Sequence, residues 1–175
     1  KDSAGSSADS SVGFLVVGAG RMGALHARHL AGAIDGAHLV RVVDADLGAA
    51  QRAAFGGAES GTDLAAALAD PAVQAVVIAS PTTLHAEHLE AAARAGKAIF
   101  CEKPVAHDLR RTEAALAVVA DAGVPFQIGF NRRYDPGFAE LARTVRAGEM
   151  GRVEMFRSQS SDPTPPPEEY VATSG

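Results

Sequence analysis

Short, unbroken apolar runs alternate with amphipathic stretches along most of this chain. Val12-Gly13-Phe14-Leu15-Val16-Val17 is rich in β-branched residues and is closed by glycines, the pattern of a strand buried on both faces. Met22, Leu25, Ala27, Leu30 and Ile34 then recur at helical spacing and predict a helix over 22–33. A second strand follows over 39–43 and a second helix over 47–55. The small, polar residues over 56–61 leave room only for an edge strand. Asp63 is placed to cap a short helix over 64–69, which Asp70-Pro71 breaks. Ala75-Val76-Val77-Ile78-Ala79 is a further buried strand, followed by a helix over 83–95 that Gly96 stops. A strand over 98–101, a helix capped by Asp108 and ended by Gly123, and a strand over 125–130 complete the run.

Strand and helix alternate about six times. That order forces parallel strands joined by helical crossovers, hence an α/β fold with a doubly wound sheet. Ligands in such sheets sit at the carboxyl ends of the strands. After Phe130 the pattern changes. Phe138, Leu141 and Val145 share one face of a helix over 136–147, and 153–159 alternates apolar with polar residues as a half-exposed antiparallel strand would. The run Asp162-Pro163-Thr164-Pro165-Pro166-Pro167 excludes helix and central strand. The reading is three segments: an extension over 1–11, disordered or left over from cloning; a nucleotide-binding domain over 12–130; and, over 131–175, the start of an incomplete α+β domain for substrate and oligomerisation.

Composition narrows the function. The 175 residues carry a formal net charge of −5, with no basic surplus, so nucleic acid is not expected as a partner. Neither a signal-peptide core nor an apolar run long enough for a membrane span is visible, which makes a soluble cytoplasmic protein the expectation. Cys101 is the only cysteine and closes an apolar run, so it reads as a small buried hydrophobe. His85 and His88 are three residues apart on one helix, but no third ligand accompanies them. No metal site is expected, and the pair reads as solvated side chains.

The chemistry concentrates at strand ends. Gly18-Ala19-Gly20-Arg21-Met22-Gly23 follows a strand and opens a helix, the context that gives a G-x-G-x-x-G loop its meaning. The first glycine makes the tight turn, the second lets the backbone approach a pyrophosphate, and the third lets helix and strand pack closely. The helix N-terminus offers free N–H groups to the phosphates. A plain glycine turn is the bland alternative. Asp44 lies 21 residues past Gly23, near the roughly 20 expected of the carboxylate that binds the adenosine ribose. Ala45 and Asp46 follow it, with no cation for a 2′-phosphate, which favours NAD over NADP. A helix cap is a compatible second role for Asp44. Ser80-Pro81 ends the fourth strand, and Glu102-Lys103-Pro104 ends the fifth. A charged pair there is costly unless hydrogen-bonded or functional. Lys103 could steady the alkoxide that precedes hydride loss, or could belong to a surface ion pair.

These stretches, VVGAGRMGALHARHL, AVVIASPTTLHAEHLEAAARAGKAIFCEKPVA and FQIGFNRRYDPGFAELARTVRAGEMGRV, resemble the glucose–fructose oxidoreductase and inositol dehydrogenase (Gfo/Idh/MocA) family. Within it the later stretch looks most like the bacterial inositol 2-dehydrogenases. The resemblance implies an oxidoreductase passing hydride between a polyol or sugar carbon and nicotinamide. It implies nucleotide contacts at Gly18, Gly20, Arg21, Met22, Gly23 and Asp44, with Ser80, Pro81, His85 and Glu102 along the cofactor. It implies a catalytic Lys103 on the reacting hydroxyl, often before a cis proline, and a substrate-side Arg133, with Arg132 the second choice. It also implies an open antiparallel sheet beyond residue 175, holding an aspartate and a histidine that handle the proton and pairing subunits into a homo-oligomer. The chain is therefore expected to be the amino-terminal part of such an enzyme, with the acid/base pair outside it. A non-catalytic dinucleotide-binding module is the alternative from another class. The proline run is read as a loop over the substrate pocket, with a proline-recognition ligand as the weaker option.

Overall fold

A computed structural model describes residues 11–161, 164 and 165. The extension over 1–11, apart from Ser11, and most of the proline run lie outside the described residues. The chain divides into two compact units between Gly129 and Phe130.

In the first unit, six parallel strands run in the order β3-β2-β1-β4-β5-β6. They are β1 (Val12–Val17), β2 (Ala37–Val43), β3 (Glu59–Gly61), β4 (Ala75–Ile78), β5 (Ala98–Cys101) and β6 (Phe126–Ile128). The helices between them are α1 (Arg21–Leu30), α2 (Leu47–Ala53), α3 (Leu64–Ala69), α4 (Thr82–Arg94) and α5 (Leu109–Ala122). Alternate side chains of one strand enter opposite cores. Leu15, Val17, Val76 and Ile78 pack with α3, α4 and α5 residues such as Leu68, Leu89 and Val119. Val16, Val42 and Val77 pack with Ala27 and Leu30 of α1 and Ala50 and Ala53 of α2. That is why β1 and β4 read as continuous apolar runs rather than alternating ones. The order reverses between β1 and β4, which opens a crevice at their carboxyl ends.

The aspartates punctuate the helices as their positions suggest. Asp63 accepts from the Ala66 N–H at 3.0 Å and Asp108 from the Arg111 N–H at 2.8 Å. Gly123 closes α5 at φ 64°, where a side chain would be strained. The helix expected over 22–33 stops earlier, at Leu30. There the Gly32 and Ala33 N–H groups both turn back to the His29 carbonyl. Its buried stripe is Gly23, Ala27 and Leu30, while Leu25 and Ile34 remain exposed. Likewise α2 gives way at Ala53 to a 3-10 turn over Phe55–Gly57.

The second unit contains a 3-10 turn over Asn131–Tyr134 and α6 (Pro136–Arg146). Asp135 caps α6, accepting from the Gly137 and Phe138 N–H groups. Arg143 ties the helix to Glu140 and Glu149. The strand expected over 153–159 is not formed. An alternating run is held extended only by a neighbouring ladder, and no described residue pairs with it. Met155 is 87% exposed and Phe156 65%. Among the described residues no helix is long and apolar enough to cross a membrane.

The caps make a measurable claim. Asp108→Ala is expected to lower unfolding free energy by about 1 kcal/mol, read from urea denaturation, with Asp108→Asn retaining most of it. An unchanged midpoint in the alanine variant would show that water serves the α5 amides as well as the carboxylate does.

Candidate functional site

The crevice between β1 and β4 begins at the glycine loop. Gly18 has φ 94°, and a Cβ there would collide with the Ser80 nitrogen and the Ala79 carbonyl. A Cβ on Gly23 would overlap the Gly18 carbonyl oxygen. Gly20 is different: a Cβ there meets nothing within 4 Å, because it borders open space. These distinct demands bring the start of α1 down onto the end of β1. No side chain caps that helix and no acidic residue occupies its first turn. The first-turn N–H groups of Arg21, Met22 and Gly23 have no intrahelical acceptor, so they and the positive end of the helix dipole are available to an anion. Arg21 is exposed and Met22 half-buried.

Asp44, just after β2, fixes the loop from the other side. Its Oδ2 accepts from the Ala19 N–H at 2.6 Å and its Oδ1 from the Asp46 N–H at 2.8 Å. Asp46, not Asp44, caps α2, accepting from the Gly48 N–H. Asp44 keeps unused lone pairs on the wall of a cleft of about 530 Å³, which Gly18, Gly20, Ala45, Ser80 and Pro81 also line. That volume lies within the roughly 300–1,000 Å³ of ordinary small-molecule sites. Open space at Gly20, uncapped amides and a facing carboxylate together fit a dinucleotide with a free 2′-hydroxyl.

At the end of β4, His85 and His88 separate in role. His85 is 2% exposed. Its ring lies 2.7 Å from the Ser80 carbonyl through Nε2 and 2.7 Å from the Pro104 carbonyl through Nδ1. Carbonyls only accept, so a ring nitrogen that carries hydrogen donates to the carbonyl it faces. His85 thus spans the loops after β4 and β5, with both ring nitrogens facing backbone carbonyls. His88, read from the sequence as a solvated side chain, is on the cleft wall with Thr62, Leu64 and Leu84. Its Nδ1 is 2.9 Å from the Ser80 hydroxyl. Burial pushes its pKa below the usual histidine range. Glu87 opposes that shift, and His85 adds to it.

At the end of β5 the two charges also part. Glu102 Oε1 is 2.9 Å from His26 Nε2 on α1, and the His26 ring meets Phe100 edge-on at 5.3 Å. Glu102 thus braces α1 against β5. Lys103 is exposed and has no hydrogen-bond or ion-pair partner among the described residues. The bond after it, Lys103–Pro104, is cis. Cys101 is fully buried, and desolvation, with the Glu102 charge second, pushes its thiol up to about 12, so it is inert packing. Arg132 and Arg133 belong to the second unit, where Arg132 stacks over Phe138 at 5.1 Å and Arg133 is exposed. Among the described residues no three potential metal ligands cluster.

Residues 12–130 match the Gfo/Idh/MocA model, described as an oxidoreductase family with an NAD-binding Rossmann fold. The inositol 2-dehydrogenase of Rhizobium meliloti (strain 1021) is 45% identical over 166 residues, covering 94% of this chain and 49% of that protein. The scyllo-inositol 2-dehydrogenase (NAD(+)) of Bacillus subtilis (strain 168) is 38% identical, over 91% of this chain and 47% of that protein. The crystal structure of scyllo-inositol dehydrogenase from Lactobacillus casei with bound NAD(H) and scyllo-inositol superposes with a TM-score of 0.76 at 30% identity. It covers 81% of this chain and 42% of that one. The chain spans about half the length of the curated relatives it matches.

The His85 clamp is open to direct test. His85→Ala strands two carbonyls and leaves a cavity, with an expected loss of roughly 2–4 kcal/mol in urea denaturation. A loss below about 0.5 kcal/mol would mean that water replaces the ring at both carbonyls.

Proposed function

Because the chain belongs to the oxidoreductase family with an NAD-binding Rossmann fold, we propose that it is the NAD-holding part of a dehydrogenase acting on a secondary alcohol of a cyclic polyol of the inositol type. The observation that carries this reading is the set of uncapped α1 amides facing open space at Gly20, with the Asp44 carboxylate on the same cleft wall. The amides of Arg21, Met22 and Gly23 hold the pyrophosphate. Asp44 accepts hydrogen bonds from the adenosine ribose hydroxyls and repels a 2′-phosphate, for which no arginine or lysine stands next to it. Ser80 and Pro81 flank the dinucleotide on the β4 side.

When bound, the nicotinamide ring supplies the acceptor for the hydride leaving the alcohol carbon. The chain's own contribution to that chemistry is Lys103. It stands at the same end of the sheet with a free ammonium, able to donate to the substrate oxygen and favour its deprotonated form. Glu102 and His85 serve it indirectly by fixing the two ends of its loop. Arg133 is assigned to the substrate side. The substrate class rests on the relatives named for inositol and on the matching Glu102-Lys103-Pro104 sequence.

Calorimetric titration of this chain with NAD and NADP tests the cleft. NAD is expected to bind at least about 100-fold more tightly, since a phosphate beside a carboxylate costs several kcal/mol. Gly20→Ala is expected to leave the unfolding midpoint unchanged and to weaken NAD at least tenfold, because the added methyl enters the space taken by the pyrophosphate. Equal affinity for NADP, or an indifferent Gly20→Ala, overturns the assignment. In a full-length protein that turns over inositol, Lys103→Ala is expected to lower kcat about 100-fold with NAD affinity kept. Unchanged turnover removes Lys103 from the mechanism.

A further inference from the structure

Part of the cleft wall is apolar and carries a histidine. Besides Asp44, Ser80 and the glycine loop, the wall includes Ala45, Thr62, Leu64, Leu84 and His88. Leu64 and Leu84, from α3 and α4, offer apolar surface of the kind a flat ring stacks on. Apolar contact accepts any base, since every base has a π-face. Identity has to be read at the edge of the ring by a hydrogen bond. His88 brings to the cleft wall a ring nitrogen that no described protein group uses. Its Nδ1 is engaged with the Ser80 hydroxyl at 2.9 Å, while its Nε2 has no partner among the described residues.

On the reading that this cleft holds NAD, we propose that His88 determines base specificity: its Nε2 accepts a hydrogen bond from the 6-amino group of adenine. The tautomer follows from Ser80. A serine hydroxyl on the wall of a site for an anionic dinucleotide directs its hydrogen to that anion. Its oxygen then accepts from His88 Nδ1–H, which leaves Nε2 with a lone pair. Burial keeps the ring neutral, as an acceptor must be. Leu84 and His88 are one helical turn apart on α4, so the stacking surface and the edge reader share one face of one helix.

Adenine and hypoxanthine differ at position 6, where an amino donor is replaced by a carbonyl acceptor. A site built to accept from the amino group disfavours the analogue, because two acceptors then face each other. The experiment is calorimetric titration of this chain with NAD and with nicotinamide hypoxanthine dinucleotide. Wild type is expected to prefer NAD at least tenfold. His88→Leu, of similar size but without ring nitrogens, is expected to bind the two equally. His88→Gln, which retains an acceptor, keeps several-fold preference, and Ser80→Ala, which frees the tautomer, reduces it. A wild type without base preference, or full preference surviving in a folded His88→Leu, overturns the role of His88. If Gly20→Ala still weakens NAD in that case, the cleft assignment stands and only the base reader falls. Failure of both dinucleotides to bind overturns the cleft assignment and this proposal together.

Discussion

A Cβ on Gly23 would occupy the place of the Gly18 carbonyl oxygen, and a Cβ on Gly18 would strike the backbone at Ala79 and Ser80. This close approach of three backbone segments is the constraint from which the site follows. It sets the start of α1 directly over the end of β1 and beside the end of β4, where the strand order reverses. No side chain can intervene, so what faces the crevice is peptide N–H. Asp44 then fixes the loop by accepting from Ala19 at 2.6 Å. The turn is held in its working shape by the fold, and a bound anion does not have to order it. Such preorganisation spares the binding reaction part of its entropic cost.

Polar groups at the other strand ends are organised on the same principle. His26 reaches from α1 to Glu102 after β5, and His85 joins the loop after β4 to the loop after β5. Buried polar atoms need partners, and these find them within the chain. The loops after β1, β4 and β5 consequently form one braced set. Lys103 stands out against this background. Its neighbour Glu102 is spoken for and Cys101 is inert, yet its own ammonium remains exposed and unpaired among the described residues.

Much of this was legible in the sequence, for reasons that differ by element. β1 and β4 announce themselves because both faces are buried and every residue must be apolar. Asp63 and Asp108 identify helix starts because a cap is a local interaction, readable without the fold. The glycine loop was legible because its demands are backbone demands. What was not legible has the opposite cause. His85 and Glu102 make contacts that a motif does not reveal, because the atoms they touch, at Pro104 and His26, are far along the chain. His88 looked like a solvated residue because its partner, Ser80, lies on the preceding loop, and only the packing of α3 near α4 makes its surroundings a cleft. The run over 153–159 has a strand's alternation, but strand formation depends on a partner that alternation does not supply.

The two units divide the work unequally, and their packing expresses it. In the first, apolar residues from both sheet faces close two cores, and each feature assigned to the dinucleotide lies on that frame. In the second, Tyr134, Met155 and Phe156 are largely exposed and α6 buries no residue fully. Stability of the nucleotide site is thus supplied locally, by burial around β1 and β4. The proposed discrimination between cofactors rests on Asp44 and the cleft wall around it. The role proposed for Lys103 has a different physical requirement: water must be excluded around it for a single ammonium to bias an alcohol toward its alkoxide. An exposed lysine does this weakly in bulk solvent. The role proposed for Lys103 therefore depends on its shielding from water.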